Sequence, residues 1–138
     1  MSTYRCSVRL DRERNVLYLA QEGRAEKVDL LRFRAAYLAA LAEVRPGWVL
    51  VHDQRKVESF SDEALEVGKD LVAITNDHHA AKVIRIAPEA LATRTRVGRV
   101  LVAARSKYES VRVSTPEEAE ALVGRHLAAG VSIPGQTE

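Results

Sequence analysis

The chain opens on a strict alternation. Tyr4, Cys6, Val8 and Leu10 fall on one face and Arg5, Ser7, Arg9 and Asp11 on the other, the period-two pattern of a half-buried strand. A polar connection over 11–15 leads to a second alternating run, Val16–Gln21, so the two segments predict an antiparallel hairpin. After Gly23 the spacing becomes helical. Leu30, Phe33, Tyr37, Leu41 and Val44 form one stripe, widened by Leu31, Leu38 and Ala42, and Pro46-Gly47 ends it. Trp48–Val51 is a continuous apolar run, as expected of an interior parallel strand covered on both faces.

A polar turn follows, and then a second helix carries Ala64, Leu65, Val67, Leu71, Val72 and Ile74, closed by Asn76-Asp77. Ala81–Ala87 predicts a fourth strand. Pro88 suits the first turn of a third helix with apolar positions at Leu91, Val97, Val100, Leu101 and Ala104. Ser110–Ser114 predicts a fifth strand. Thr115-Pro116-Glu117-Glu118 then has capping-box spacing with proline at the first helical position, opening a last helix along Ala119, Leu122, Val123 and Leu127. The order is β-β-α-β-α-β-α-β-α. It predicts an α/β fold with a mixed, mostly parallel sheet, the first strand antiparallel to the second, the third central, and right-handed crossovers. A doubly wound flavodoxin-like or receiver domain begins instead with a buried parallel strand, so the amphipathic opening hairpin argues against one. Residues 1–128 are expected to form a single domain, with 129–138 as a flexible tail.

At 138 residues the chain is long enough for one substantial core. Its 46% apolar and 29% charged residues are the balance of a soluble globular domain, and a net charge of +2 gives no charge-based argument for nucleic acid or a membrane surface. No apolar run approaches the roughly 20 residues of a membrane span, and MSTYRCSVRLD lacks the apolar segment of a secretory signal. A single cysteine, Cys6, precludes an intramolecular disulfide. The expected location is the cytoplasm. Cys6 alternates with apolar neighbours and reads as a core thiol.

Chemistry is sparse. His78 and His79 are adjacent and point different ways, while His52 and His126 are isolated, so no metal site is expected. No glycine-rich phosphate loop and no G-x-S-x-G elbow follows any strand, and neither a cofactor nor an enzymatic activity is expected. Asp53, at the end of a central strand, is the best-placed acid but has no base or nucleophile beside it, and it reads as a turn former. In the turn ESFSDEAL, Ser61, or less favourably Ser59, can cap the second helix. Asp62 and Glu63 then meet the positive end of the helix dipole, each contributing about 0.3–1 kcal/mol. That explains these residues structurally. The functional alternative is a partner-docking turn made of Asp53, Ser59, Ser61, Asp62 and Glu63. The densest charge feature is basic: Arg94, Arg96, Arg99, Arg105, Lys107 and Arg112, opposed only by Glu109. Those on the exposed side of the third helix, Arg94, Arg96 and Arg99, suit an acidic partner or a phosphate. No aromatic residue lies among them before Tyr108, so stacking of single-stranded nucleic acid is not indicated.

The element order and the stretch after the third strand resemble a STAS domain, the fold of anti-sigma-factor antagonists and of sulfate-transporter cytoplasmic domains. The resemblance spans residues 4–128 in element order. STAS domains carry a motif D-L-S-x-V-x-x-I-D-S-S-G-L at this junction. Laid on this chain without a gap, its aspartate falls on Asp53, its valine on Val57 and its isoleucine on Phe60, and D-S-S-G-L falls on Ser61, Asp62, Glu63, Ala64 and Leu65. Aspartate, valine and leucine match, whereas the signature serines and glycine do not. The segment VRVSTPEEAEAL also resembles a bacterial STAS-like subgroup whose last strand leads into a Glu-Glu-Ala helix. In phosphorylated antagonists the second motif serine is the phosphoacceptor. Its counterpart here is Glu63, which has no hydroxyl and carries less charge than a phosphate. The resemblance implies a non-catalytic module acting by contact with a protein partner in bacterial signalling, with a homodimer left open. The alternative is a binding domain for a small anionic or lipid ligand. Some STAS-like bacterial proteins are grouped with lipid-transfer folds, and the basic third helix would face that ligand.

Overall fold

A computed structural model describes residues 3–132. The hairpin forms as its alternation predicts. Strand β1 (Arg5–Asp11) pairs antiparallel with β2 (Val16–Ala25), in register from Arg5 opposite Glu22 to Asp11 opposite Val16. Its connection is fixed locally. Asp11 Oδ1 accepts from the Arg14 N–H at 3.1 Å, and Asn15 takes the left-handed conformation (φ 60°) that asparagine tolerates. Helix α1 (Lys27–Leu41), strand β3 (Val49–Phe60), helix α2 (Asp62–Asp77), strand β4 (Lys82–Ile86), helix α3 (Leu91–Ala104), strand β5 (Glu109–Val113) and helix α4 (Pro116–Ser132) follow. The sheet has five strands in the order β1-β2-β3-β4-β5, and every pair except β1–β2 is parallel, so β3 is central.

Four sequence readings need correction. Pro88 precedes α3, which begins at Leu91 with Ala90 as its N-cap, rather than lying in its first turn. Cys6 is exposed rather than a core thiol. It lies in an edge strand, with a neighbouring strand on one flank only, and the helix layer reaches Tyr4, Val8 and Leu10 while leaving Cys6 open. The second strand does not end at Gln21 but runs on to Ala25 through Gly23. Gly23 sits at φ 89°, and a Cβ there would collide with the Thr3 carbonyl oxygen, so only glycine fits the place. The stretch after Val51 is not a turn. It is more strand, bulged twice against β2: Ala20 pairs with Asp53 but Glu22 with Lys56, and Gly23 pairs with Val57 but Arg24 with Ser59. Each bulge inserts an extra residue in β3, so the positions facing α1–α3 change spacing from two (Leu50, His52, Gln54) to three (Val57, Phe60).

The sheet is covered unequally. Helices α1, α2 and α3 pack on one face over Leu17, Leu19, Leu50 and Val83, and α4 packs alone on the other over Val16, Val49, Val51, Ile84 and Ile86. On the first side, Trp48 is fully buried with its Nε1–H donating to the His78 carbonyl at 2.9 Å, and the Tyr37 hydroxyl meets Thr75 Oγ1 at 2.6 Å between α1 and α2. On the second side, Thr115 caps α4. The Glu118 N–H donates to Thr115 Oγ1 at 3.1 Å, while Glu118 Oε1 reaches back to that hydroxyl and to the Ser114 N–H rather than to the Thr115 N–H of a capping box. Helix α4 takes in 129–132 of the expected tail, and 133–138 lie outside the described residues.

Candidate functional site

The corner between β3 and α2 is one residue long. Ser61 caps α2, its Oγ accepting from the Ala64 N–H at 3.0 Å while its own N–H donates to the Ala25 carbonyl at 3.0 Å. Asp62 and Glu63 follow in the first helical turn, both exposed. Helix α3 grips the same corner. Arg96 donates from Nη1 to the Phe60 carbonyl at 2.7 Å and from Nη2 to Asp62, and Thr93 Oγ1 donates to the Glu58 carbonyl at 2.7 Å. The Asp62 side chain is 97% exposed, so its pairing with Arg96 is weak, and the bond to the buried-strand carbonyl is the firmer anchor.

The structure does not bring all five predicted docking residues together. Ser61, Asp62 and Glu63 share the corner. Ser59 lies within β3, half-buried. Asp53 lies eight residues before Ser61 along the strand, about 25 Å at ~3.3 Å per residue, on the face covered by α4. Burial pushes the Asp53 carboxyl up, but Arg55 outweighs it and holds the group below the usual carboxylate range. Arg55 donates from its backbone N–H (3.1 Å), Nε (3.1 Å) and Nη2 (2.8 Å). Of the three arginines of α3, Arg96 turns to the corner, Arg94 is half-buried and Arg99 is exposed.

A second polar group sits where the sequence reading placed none, on the sheet face under α1–α3. The register aligns His52 with Arg85 and Arg85 with Arg112 across β3, β4 and β5. Gln21 joins the row from β2. Its Nε2 donates to the Tyr4 hydroxyl at 2.7 Å, so its Oε1 accepts from the His52 Nε2–H at 2.5 Å. The His52 ring lies against Phe33, centroids 5.8 Å apart. Burial, reinforced by the Arg85 cation and only partly opposed by Asp53, drives the His52 imidazole down to about 3, so it is neutral. Burial likewise pushes Arg85 below its ordinary value. Among the described residues Arg85 makes no ion pair, and its Nε, together with Gln54 Oε1, is buried without a hydrogen-bond partner. Both residues line a cavity of about 90 Å³ between the sheet and α1–α3, walled by Leu50, Leu71, Val97 and Leu101. A sequence signal existed for this row. Gln21, His52, Gln54 and Arg85 are polar residues on the alternating positions of strands that the element order puts in the interior.

Among the described residues no cluster of three histidine, cysteine or acidic side chains is arranged to hold a metal, and no helix is long and apolar enough to cross a membrane. No protein-family model matches the chain, and neither does any curated protein. Solved structures do. An uncharacterised protein of the DUF3478 family with a SpoIIAA-like fold, from Shewanella loihica, superposes with a TM-score of 0.63 at 17% identity, over 89% of this chain and 97% of that one. An anti-sigma factor antagonist from Mycobacterium paratuberculosis superposes with a TM-score of 0.58 at 19% identity, over 88% of this chain and 95% of that one. The fold is STAS-like. Within this STAS-like frame, Ser61, Asp62 and Glu63 stand at the strand-to-helix junction, where the ungapped motif lays D-S-S.

Proposed function

We propose that the chain is a non-catalytic STAS-like regulatory module of the cytoplasm that docks a basic surface of a protein partner through the β3–α2 corner. One observation carries this reading. Four carboxylates surround the corner, and three are matched: Glu58 with Arg24, Asp62 with Arg96 and Glu66 with Lys69. Glu63 makes no ion pair among the described residues. It is exposed in the first turn of α2, at the position that the STAS resemblance gives to the phosphoacceptor serine. A fixed carboxylate there supplies part of the charge that a phosphoserine would supply, permanently and without a kinase. The neighbouring hydroxyl is engaged, since Ser61 Oγ caps the helix, and a phosphate on it would meet Asp62 and Glu63. No regulatory phosphate on Ser59 or Ser61 is therefore part of the reading. The likeness to an anti-sigma factor antagonist supports a signalling role.

The test is affinity purification, from the native cells, of the unaltered chain and of the double variant Asp62→Asn, Glu63→Gln. The expected result is a recurrent protein partner that the double variant loses at least tenfold, with melting that stays cooperative and falls only by the small helix-dipole contribution of the two carboxylates, and no phosphate in the intact mass of the purified chain. The same partners at the same recovery with both chains would overturn the docking assignment. Stoichiometric phosphate on Ser59 or Ser61 would overturn the constitutive one.

A further inference from the structure

The interior under α1–α3 combines three features that rarely stand together without a ligand. A guanidinium lies in an apolar layer with no carboxylate paired to it among the described residues. The side-chain oxygen of Gln54, a residue 95% buried by its 5% exposure, has no partner, and neither has Arg85 Nε. Both open onto the same cavity, whose remaining walls are mostly leucine, valine and aromatic side chains, with Gln21, His52 and Thr75 among them. Buried polar atoms are almost always satisfied, and an unpaired buried cation is costlier still, so such atoms on a cavity wall mark the place of a missing partner.

The chemistry of that partner follows from the wall. His52 offers nothing acidic: its ring is neutral and its Nε2–H is committed to Gln21. The positive charge of Arg85, with Arg112 beside it in register, calls for an anion. Gln54 is placed diagonally from Arg85, since His52 is the direct neighbour of Arg85 in the ladder. Its amide, turned over, presents N–H to a second oxygen, because the two orientations are isosteric. A planar group with two oxygens matches this pair of donors. The rest of the cavity is mostly apolar, and it is small. At about 90 Å³ it is smaller than the roughly 150 Å³ cavity that takes up benzene with its six carbons, so it admits a ligand on the order of four or five heavy atoms.

We propose that this cavity binds a short-chain aliphatic carboxylate, its head held by Arg85 and Gln54 and its tail against Leu50, Leu71, Val97 and Leu101. The site is separate from the β3–α2 corner, although α3, which grips that corner through Arg96, also forms one wall of the cavity.

The experiment is a titration of the full chain with sodium propanoate, followed by amide chemical shifts, with 1-propanol and inorganic phosphate as the uncharged and tail-less controls. Saturable shifts should appear at β3 and β4 amides with propanoate, and each control should bind at least tenfold more weakly. Arg85→Met keeps the apolar stem and removes the charge. It should lose propanoate binding at least tenfold and melt cooperatively at or above the temperature of the parent. Gln54→Leu tests the same head without touching the charge and should also weaken propanoate. Arg85→Met binding propanoate like the parent would overturn the proposal. Phosphate matching propanoate would also overturn it. So would the absence of saturable shifts up to the solubility of the probe, which would mean that solvent satisfies the two polar atoms. Loss of the propanoate site leaves the docking corner untouched, so the two readings fail separately.

Discussion

The two faces of the sheet are built from the same strands and differ in kind. Under α4, β2, β3 and β4 present Val16, Val49, Val51, Ile84 and Ile86, packed on Ala119 and Val123, an aliphatic layer. Under α1–α3 the same strands present Leu17, Leu19, Leu50 and Val83 and then, two to four residues further on, Gln21, His52, Gln54 and Arg85 beside a cavity. On the α4 face the polar residues beyond that layer, Tyr18 and Asp53, are half-buried and partnered, Tyr18 by Arg14 and Glu120 and Asp53 by Arg55. The other face keeps a histidine neutral and a guanidinium without a counter-ion among the described residues, which is destabilising unless it serves something else. The contrast separates a face that holds the fold from a face that holds a site.

The largest expected effect sets the two faces against each other directly. Ile84, with 0% exposure, packs in the α4 layer, and Leu50, with 4%, borders the cavity. Ile84→Ala should cost about 3–5 kcal/mol and Leu50→Ala about 2–3 kcal/mol, since side chains around Leu50 have room to relax. Urea melts of both variants measure this, and the reverse order would break the contrast.

The next effect belongs to the polar face alone. His52 is held at about 3 in the folded chain against an ordinary 6.5, so between those values only the unfolded chain takes up the proton. Its contribution to stability is complete above about pH 6.5 and falls as the pH drops towards 3, by up to ~1.4 kcal/mol per pH unit. From pH 6.5 to 5 the expected loss is about 1–2 kcal/mol. Asp11 and Asp53, held below the carboxylate range, lose their stabilisation only in more acid solution, below about pH 4, and do not overlap that interval. Denaturant midpoints measured across pH 5–7 should therefore slope for the parent and flatten for His52→Gln. Equal slopes would remove His52 from the account.

The smallest effect sharpens the corner. Ser61→Ala removes the cap bond to the Ala64 N–H and should cost about 1 kcal/mol, while leaving partner recovery unchanged because Glu63 carries the docking charge. A partner lost with Ser61→Ala at undiminished stability would move the site from the carboxylate to the hydroxyl.

The sequence by itself determined the element order, the antiparallel opening hairpin, the central place of β3 and the caps of α2 and α4. Those rest on local signals: side-chain period, proline and glycine stops, and a hydroxyl or carboxylate within reach of nearby N–H groups. The STAS-like fold was legible in that order, and so was Ser61 as the cap. Only the tertiary structure decided the rest. The two bulges of β3 shift its inward spacing from two residues to three, and a broken period reads as a polar turn, so Ser59 and the stretch from His52 looked like loop. Cys6 alternates like a core residue, yet its exposure depends on β1 lying at the sheet edge, which no local pattern records. Arg96 belongs to an arginine-rich helix in sequence and to the β3–α2 corner in space, because a long side chain reaches whatever carbonyl the packing of α3 brings near. Arg85 and Gln54 sit on neighbouring strands but far apart in sequence. Their shared cavity exists because parallel strands set them diagonally across the ladder while three helices close over them, and that convergence is a property of the assembled layers rather than of any segment.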